Sequence, residues 1–197
     1  MPIVKSTTLI PPAINRSSPD PVYKLTGWRI TKPVVFEVST RYCKMDKVLI
    51  EQAIEGAITM IEEVTDTPLI REVIMTDGAV KYGFDGKFTL QFTGTLKSGV
   101  LGTSKTYFAL KKHTWKDKQF YDVREYDIRL KLDIQWGKEK TPYLQTVAAH
   151  ELLHGLGLAD LYKDLSTRKA NEIMNAYRYP RGLGRGDIQG IEYLYKK

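Results

Sequence analysis

Two of the three histidines in the chain stand four residues apart, in His150-Glu151-Leu152-Leu153-His154. On an α-helix, residues four apart share one face, one turn above the other. Two imidazoles so placed can hold one metal ion, with bonds to nitrogen of about 2.0–2.1 Å. Glu151 is offset from His150 by about 100° of helical turn, so it can reach past a metal to a water without being a ligand. A two-histidine site needs a third protein ligand. Gly155 and Gly157 follow at once, and Gly157 can end the helix in a left-handed turn that reverses the chain under the metal. Three residues later comes Asp160, a hard anionic donor. The same string also admits a plainer reading, a solvated His-Glu-His helix face followed by a loop carboxylate.

Composition narrows the class. Of 197 residues, 42% are hydrophobic and 27% charged, the balance of a globular domain with a core of its own. No apolar run approaches the roughly 20 residues that span a bilayer. Met1 to Asn15 lacks the apolar stretch of a secretory leader, and the compartment stays open. Cys43 is the single cysteine, so neither an intrachain disulfide nor a thiolate metal cluster can form. The formal charge of +7 is spread along the chain without a nucleic-acid module signature, so a nucleic-acid partner is not expected.

Residues 1–26 hold Pro2, Pro11, Pro12, Pro19 and Pro21 and read as an extended N-terminal arm, with a linker, a propeptide remnant or a strap all open. The arm is also a place for an assembly partner. Residues 27–197 read as one folded domain. Val34 to Val38 has strand composition. Asp46 is placed to cap a helix carrying an apolar stripe of Leu49, Ala53, Ile54, Ala57, Ile58, Ile61 and Val64. Strands are expected at Leu69–Met75 and Phe88–Phe92, an edge strand within the glycine-rich Gly94–Ser104, and a half-buried strand over Tyr126–Ile134. Thr141 is the expected cap, and Pro142 the first residue, of the His150 helix. A last helix is expected from Asp187. The mix is α+β. Asp77-Gly78 and Asp85-Gly86 are turn signals first, and calcium binding stays open.

The string His150 to Asp160 resembles the zinc signature of the metzincin metallopeptidases, H-E-x-x-H-x-x-G-x-x-H, with Asp160 in the third ligand place. Met174, in Glu172-Ile173-Met174-Asn175, falls where that family has its Met-turn. Gly186 to Tyr195 is similar to the C-terminal helix of matrixins, and Val147-Ala148-Ala149 leads into the zinc helix as it does there. The resemblance is strongest over residues 144–195. It implies a twisted, mostly parallel sheet with an antiparallel edge strand, packed on a long helix and the zinc helix, with a C-terminal helix. It also implies one catalytic Zn²⁺ on His150, His154 and Asp160, Glu151 as general base, and hydrolysis of a protein or peptide substrate. Gly157, Met174 and Asp187 would support the site. Gly99, Val100, Leu101 and Gly102 would form the rim against which substrate lies extended, and Tyr177 would line the pocket for the residue following the scissile bond or touch the oxyanion. The family's second, structural zinc is not expected, since only His113 remains outside the motif. A cysteine switch is not expected either, and Cys43 reads as an ordinary partly buried residue. The alternative is a metzincin-fold component of a larger assembly with little or no turnover.

Overall fold

The computed structural model describes residues 3–6, 23–66, 68–132, 134–136, 143–161, 171–175 and 180–196. The fold is α+β, with a mostly parallel sheet. Its strands are β1 (Ile3–Ser6), β2 (Trp28–Arg29), β3 (Val34–Ser39), β4 (Ile70–Thr76), β5 (Phe88–Thr93), β6 (Gly102–Trp115) and β7 (Lys118–Lys131). The helices are α1 (Lys47–Glu62), α2 (Leu144–Leu156) and α3 (Arg185–Tyr195). Across the sheet the order is β1-β6-β7-β5-β3-β4, with β2 alongside β7. Pairs among β2, β3, β4, β5 and β7 are parallel, while β6 runs antiparallel to both β7 and β1.

Strand alternation sets the faces. Val38, Leu90 and Ile128 stand in one cross-strand row, all fully buried, and belong to the core that takes in α1 and α2. Residues of β7 between these positions face the other way, where the loop before β5 covers them. There Glu125 accepts the amides of Asp85, at 2.7 Å, and Gly86. Asp77 of the other Asp-Gly pair accepts from Thr40 and Lys47.

Asp46 caps α1 as expected, accepting from the Val48 amide at 2.8 Å. The buried stripe is Ile50, Ile54, Ala57, Ile58 and Ile61, and Leu49 is exposed. Ile50 is the residue in phase with Ile54 and Ile61, whereas Leu49 lies about 100° around the helix. Three other expectations need correction. The glycine-rich stretch is a turn as far as Val100, whose amide donates to Lys97, and the strand begins only at Gly102. That strand is not a short edge: it runs to Trp115, and β1 lies outside it. The strand expected over Tyr126–Ile134 spans Lys118–Lys131. The N-cap of α2 is Tyr143; Thr141 and Pro142 lie outside the described residues.

Residues 23–29 are tied to the end of α2. Leu25 bridges Leu158, the Thr26 amide donates to Gly157 O and the Ala159 amide to Lys24 O, both at 2.9 Å. Gly157 itself has φ +114°, and a Cβ there would run into the Trp28 carbonyl. Gly157→Ala is therefore expected to cost about 2–3 kcal/mol of stability, since strain and collision add. A urea midpoint shifted by less than the equivalent of about 0.5 kcal/mol would show the turn to be tolerant.

Candidate metal centre

Helix α2 carries His150 and His154 on one face, and its end brings Asp160 back beneath them. The Leu158 amide closes the last turn on Leu153 O at 2.9 Å, and Gly157 takes the left-handed turn. Asp160 is then fixed from both sides by backbone: the Ala159 amide on Lys24 O and the Leu161 amide on Met174 O, each 2.9 Å.

Each imidazole is oriented by a carbonyl. His150 Nδ1 lies 2.9 Å from Ile173 O and His154 Nδ1 lies 2.9 Å from Leu158 O. A carbonyl only accepts, so both Nδ1 atoms carry hydrogen, and in the neutral rings both Nε2 lone pairs are open. Those Nε2 atoms converge on one oxygen, Asp160 Oδ1, at 3.3 and 3.4 Å. That is long for a charge-assisted hydrogen bond, which runs about 2.7–2.9 Å. It falls within the edge length of a tetrahedron of ligands about 2.0–2.2 Å from a central ion, about 3.3–3.6 Å. Asp160 Oδ1 is also buried with no hydrogen-bond partner. Among the described residues, His150, His154 and Asp160 are the one group of three or more such side chains that could hold a metal ion, their donor atoms within 4.8 Å of one another. The residues present fit a divalent cation.

Electrostatics agree with this geometry. Burial opposes charge on His150, but the Asp160 carboxylate, then Glu151 and the Ile173 carbonyl, outweigh it and raise His150 to about 9. Burial likewise works against an ionised Asp160, yet the two imidazoles hold its carboxyl far below the usual range. Without metal, then, the proton on His150 occupies the cation's place. Metal uptake must expel it, so affinity should climb about tenfold per pH unit from about 6.5 to 9 and level off above. The metal-free fold has the opposite slope. Its contribution from protonated His150 is complete below about pH 6.5, the unfolded value, and is lost as pH rises through about 9. Calorimetric titration of metal and denaturant melts of the metal-free chain, across this range, check both signs.

Glu151 is buried, with its carboxylate against the start of β6, where a Cβ on Gly102 would come 2.5 Å from its Oε1. Glycine at 102 is thus what lets the strand lie against this carboxylate. The helix is held down on the sheet here. Tyr126 donates its hydroxyl to Glu151 O, a Cβ on Gly155 would strike the Tyr126 ring, and Trp28 Nε1 donates to His154 O at 2.9 Å.

Residues 171–175 meet the site through Ile173 O on His150 Nδ1 and Met174 O on the Leu161 amide. Glu172–Asn175 is a tight turn, with the Asn175 amide on Glu172 O at 3.0 Å and Met174 buried in the core. Asp187, at the third position of α3, accepts the amides of Ile173 at 2.5 Å, Gly184 at 3.0 Å and Met174 at 3.2 Å. Burial, supported by the nearby Glu172 charge, pushes Asp187 up to about 6 against these donors. Of the expected rim, Gly102 meets Glu151, Leu101 gives its carbonyl to the Lys131 amide, and Gly99 and Val100 sit in the preceding turn. Tyr177 lies outside the described residues. His113 is on β6 opposite Phe120, apart from the other histidines. Cys43 is half-buried, and burial pushes its thiol up, away from reactive thiolate. Trp28 and the Leu158 and Ile173 carbonyls went unforeseen. Carbonyl partners carry no side-chain signal, and Trp28 is more than a hundred residues from the helix it pins.

No protein-family model matches the chain, and no curated protein matches it. No described helix is long and apolar enough to cross a membrane.

Proposed function

We propose that this chain is a zinc-dependent endopeptidase of the metzincin type, similar to matrixins. One observation carries the reading: two imidazoles, each oriented through Nδ1, converge on a buried carboxylate oxygen that has no other partner, beside a glutamate that is not among them. Zinc suits this donor set, since two neutral nitrogens and one carboxylate leave a position open for water or substrate. Bound there, the ion would acidify a water and polarise a peptide carbonyl. The protein's own part follows from placement. Glu151 takes the proton from the attacking water as the new C–O bond forms, and returns it to the departing amine as the C–N bond breaks. The start of β6 offers main-chain groups beside Glu151 for an extended peptide, which makes recognition tolerant of sequence.

Metal analysis of the purified chain, with casein hydrolysis followed with and without a chelator, tests the reading. Zinc near one equivalent, chelator-sensitive cleavage and restoration by added zinc are the expected results. Stoichiometric metal with no turnover would instead identify an inert component of an assembly.

A further inference from the structure

On the face of the sheet turned from the core, β7 and β6 meet in three rows. Register pairs Glu125 with Tyr107, Asp127 with Lys105 and Arg129 with Thr103, and directly opposed residues share a face. The loop before β5 is laid along these rows in order. On the first, Glu125 accepts the amides of Asp85 and Gly86, and the Tyr107 ring packs on Phe84 with centroids 5.5 Å apart. On the second, Asp127 accepts from the Thr89 hydroxyl at 2.6 Å and from the Gly83 backbone. On the third sits Tyr82. The Arg129 guanidinium lies 3.7 Å from the centre of its ring and the Lys105 ammonium, from the second row, 4.1 Å. The Tyr82 hydroxyl is hydrogen-bonded to the Thr103 side chain.

The residue before Thr103 is Gly102, paired with the buried Leu130 on the core face. A Cβ on Gly102 would come 2.5 Å from Glu151 Oε1, 2.8 Å from its Cγ and 2.9 Å from its Cδ. The strand is one backbone thick here. Tyr82 bears on it from the outer face and Glu151 from the inner, so the resting place of the strand start decides where the carboxylate can rest. Burial pushes the Tyr82 hydroxyl up to about 12 against the Thr103 bond and the Arg129 charge, so it keeps its proton at any working pH, and the Glu151 charge is among those that reach it.

We propose that Tyr82 is a positioning residue for Glu151: through Thr103 it holds the start of β6 down as the wall against which the Glu151 carboxylate is set. Its part in hydrolysis rests on the peptidase reading, and its hold on β6 rests on register and contacts alone. Tyr82 acts at one remove from the chemistry. Its loss loosens the wall, lets the carboxylate drift from the water it serves, and slows the chemical step. Substrate affinity and the grip on the metal depend on other groups and stay as they are.

The test combines steady-state hydrolysis of fluorescein-labelled casein with amide hydrogen exchange over residues 101–104, both on the zinc-loaded full chain well below its melting midpoint. Tyr82→Phe removes the hydroxyl and Thr103→Val its partner, each close to isosteric. Either should lower kcat by about 2–12-fold, the range of one hydrogen bond. The two together should lower it no further, because both delete the same bond. Tyr82→Ala also strips the ring from Arg129 and Lys105 and should lower kcat by up to about 10²-fold. In every variant KM and zinc affinity should stay within about twofold of the parent, as for a group felt only in the transition state. Exchange at 101–104 should run about 2–12-fold faster in Tyr82→Ala. Should Tyr82→Ala fail to fold, the Tyr82→Phe and Thr103→Val pair decides alone. An unchanged kcat, or unchanged exchange at 101–104, overturns the proposal. So does a loss that appears in KM or in zinc affinity in place of kcat, and so do effects of Tyr82→Phe and Thr103→Val that simply add. If the parent cleaves no casein while Tyr82→Ala still speeds exchange at 101–104, the peptidase reading sinks and the hold on β6 stands.

Discussion

Glu151→Gln is expected to lower casein hydrolysis by about 10²–10⁴-fold, the usual contribution of a positioned acid–base group. The variant is close to isosteric, and Glu151 is buried against Gly102, so the carboxamide fills the same space. The bond from Tyr126 goes to the Glu151 backbone carbonyl and does not depend on the side chain. The amide cannot take a proton from water. Metal content should stay near one equivalent, because His150, His154 and Asp160 are untouched. Activity within tenfold of the parent would place the base elsewhere. Activity lost together with the metal would make Glu151 a structural residue.

Asp187→Ala carries the second large effect. It strips the acceptor from the amides of Ile173, Met174 and Gly184. An unpaired buried donor costs about 1–3 kcal/mol, and the released turn can recover part of that by reaching water, so a loss of roughly 3–5 kcal/mol is expected. For a chain of this size that is a drop of about 6–20 °C in melting midpoint. The damage should reach the metal, since Ile173 O orients His150. Zinc affinity measured at fixed pH should therefore fall with stability, and Asp187→Asn, which keeps one acceptor, should lie between. Unchanged zinc affinity in a destabilised Asp187→Ala chain would disconnect the turn from the site.

The candidate metal centre was readable because its side chains obey a short-range rule. His150 and His154 sit one helical turn apart, Gly157 is the residue a left-handed turn demands, and Asp160 follows within reach. Helix α1 was readable for the same kind of reason, apart from the choice of Leu49 over Ile50. Strand β6 was not, and its register shows why. Tyr107, Phe108 and Ala109 are buried in succession, with irregularities between Tyr107 and Phe108 and between Phe108 and Lys112. A bulge puts two residues against one and destroys the period of two on which a strand is recognised. The hairpin turn at Lys116, at φ +51°, carries no glycine at that position to mark it. Strand β1 was hidden by its prolines' neighbourhood, which spoke for an arm. What pairs with it lies a hundred residues away, and pairing partners at that range leave no local trace.

The bonds from residues 24–28 to the end of α2 also fix when the site can exist. Lys24, Thr26 and Trp28 wait for His154, Gly157 and Ala159, with Trp28 and His154 126 positions apart. At about 5–20 residues per second, a ribosome takes roughly 6–25 seconds to supply that stretch. Through that interval residues 24–28 exist without the helix end on which they dock. The proposed zinc site can therefore assemble only once residues 150–160 have been made, and residues 24–28 precede it by that whole interval.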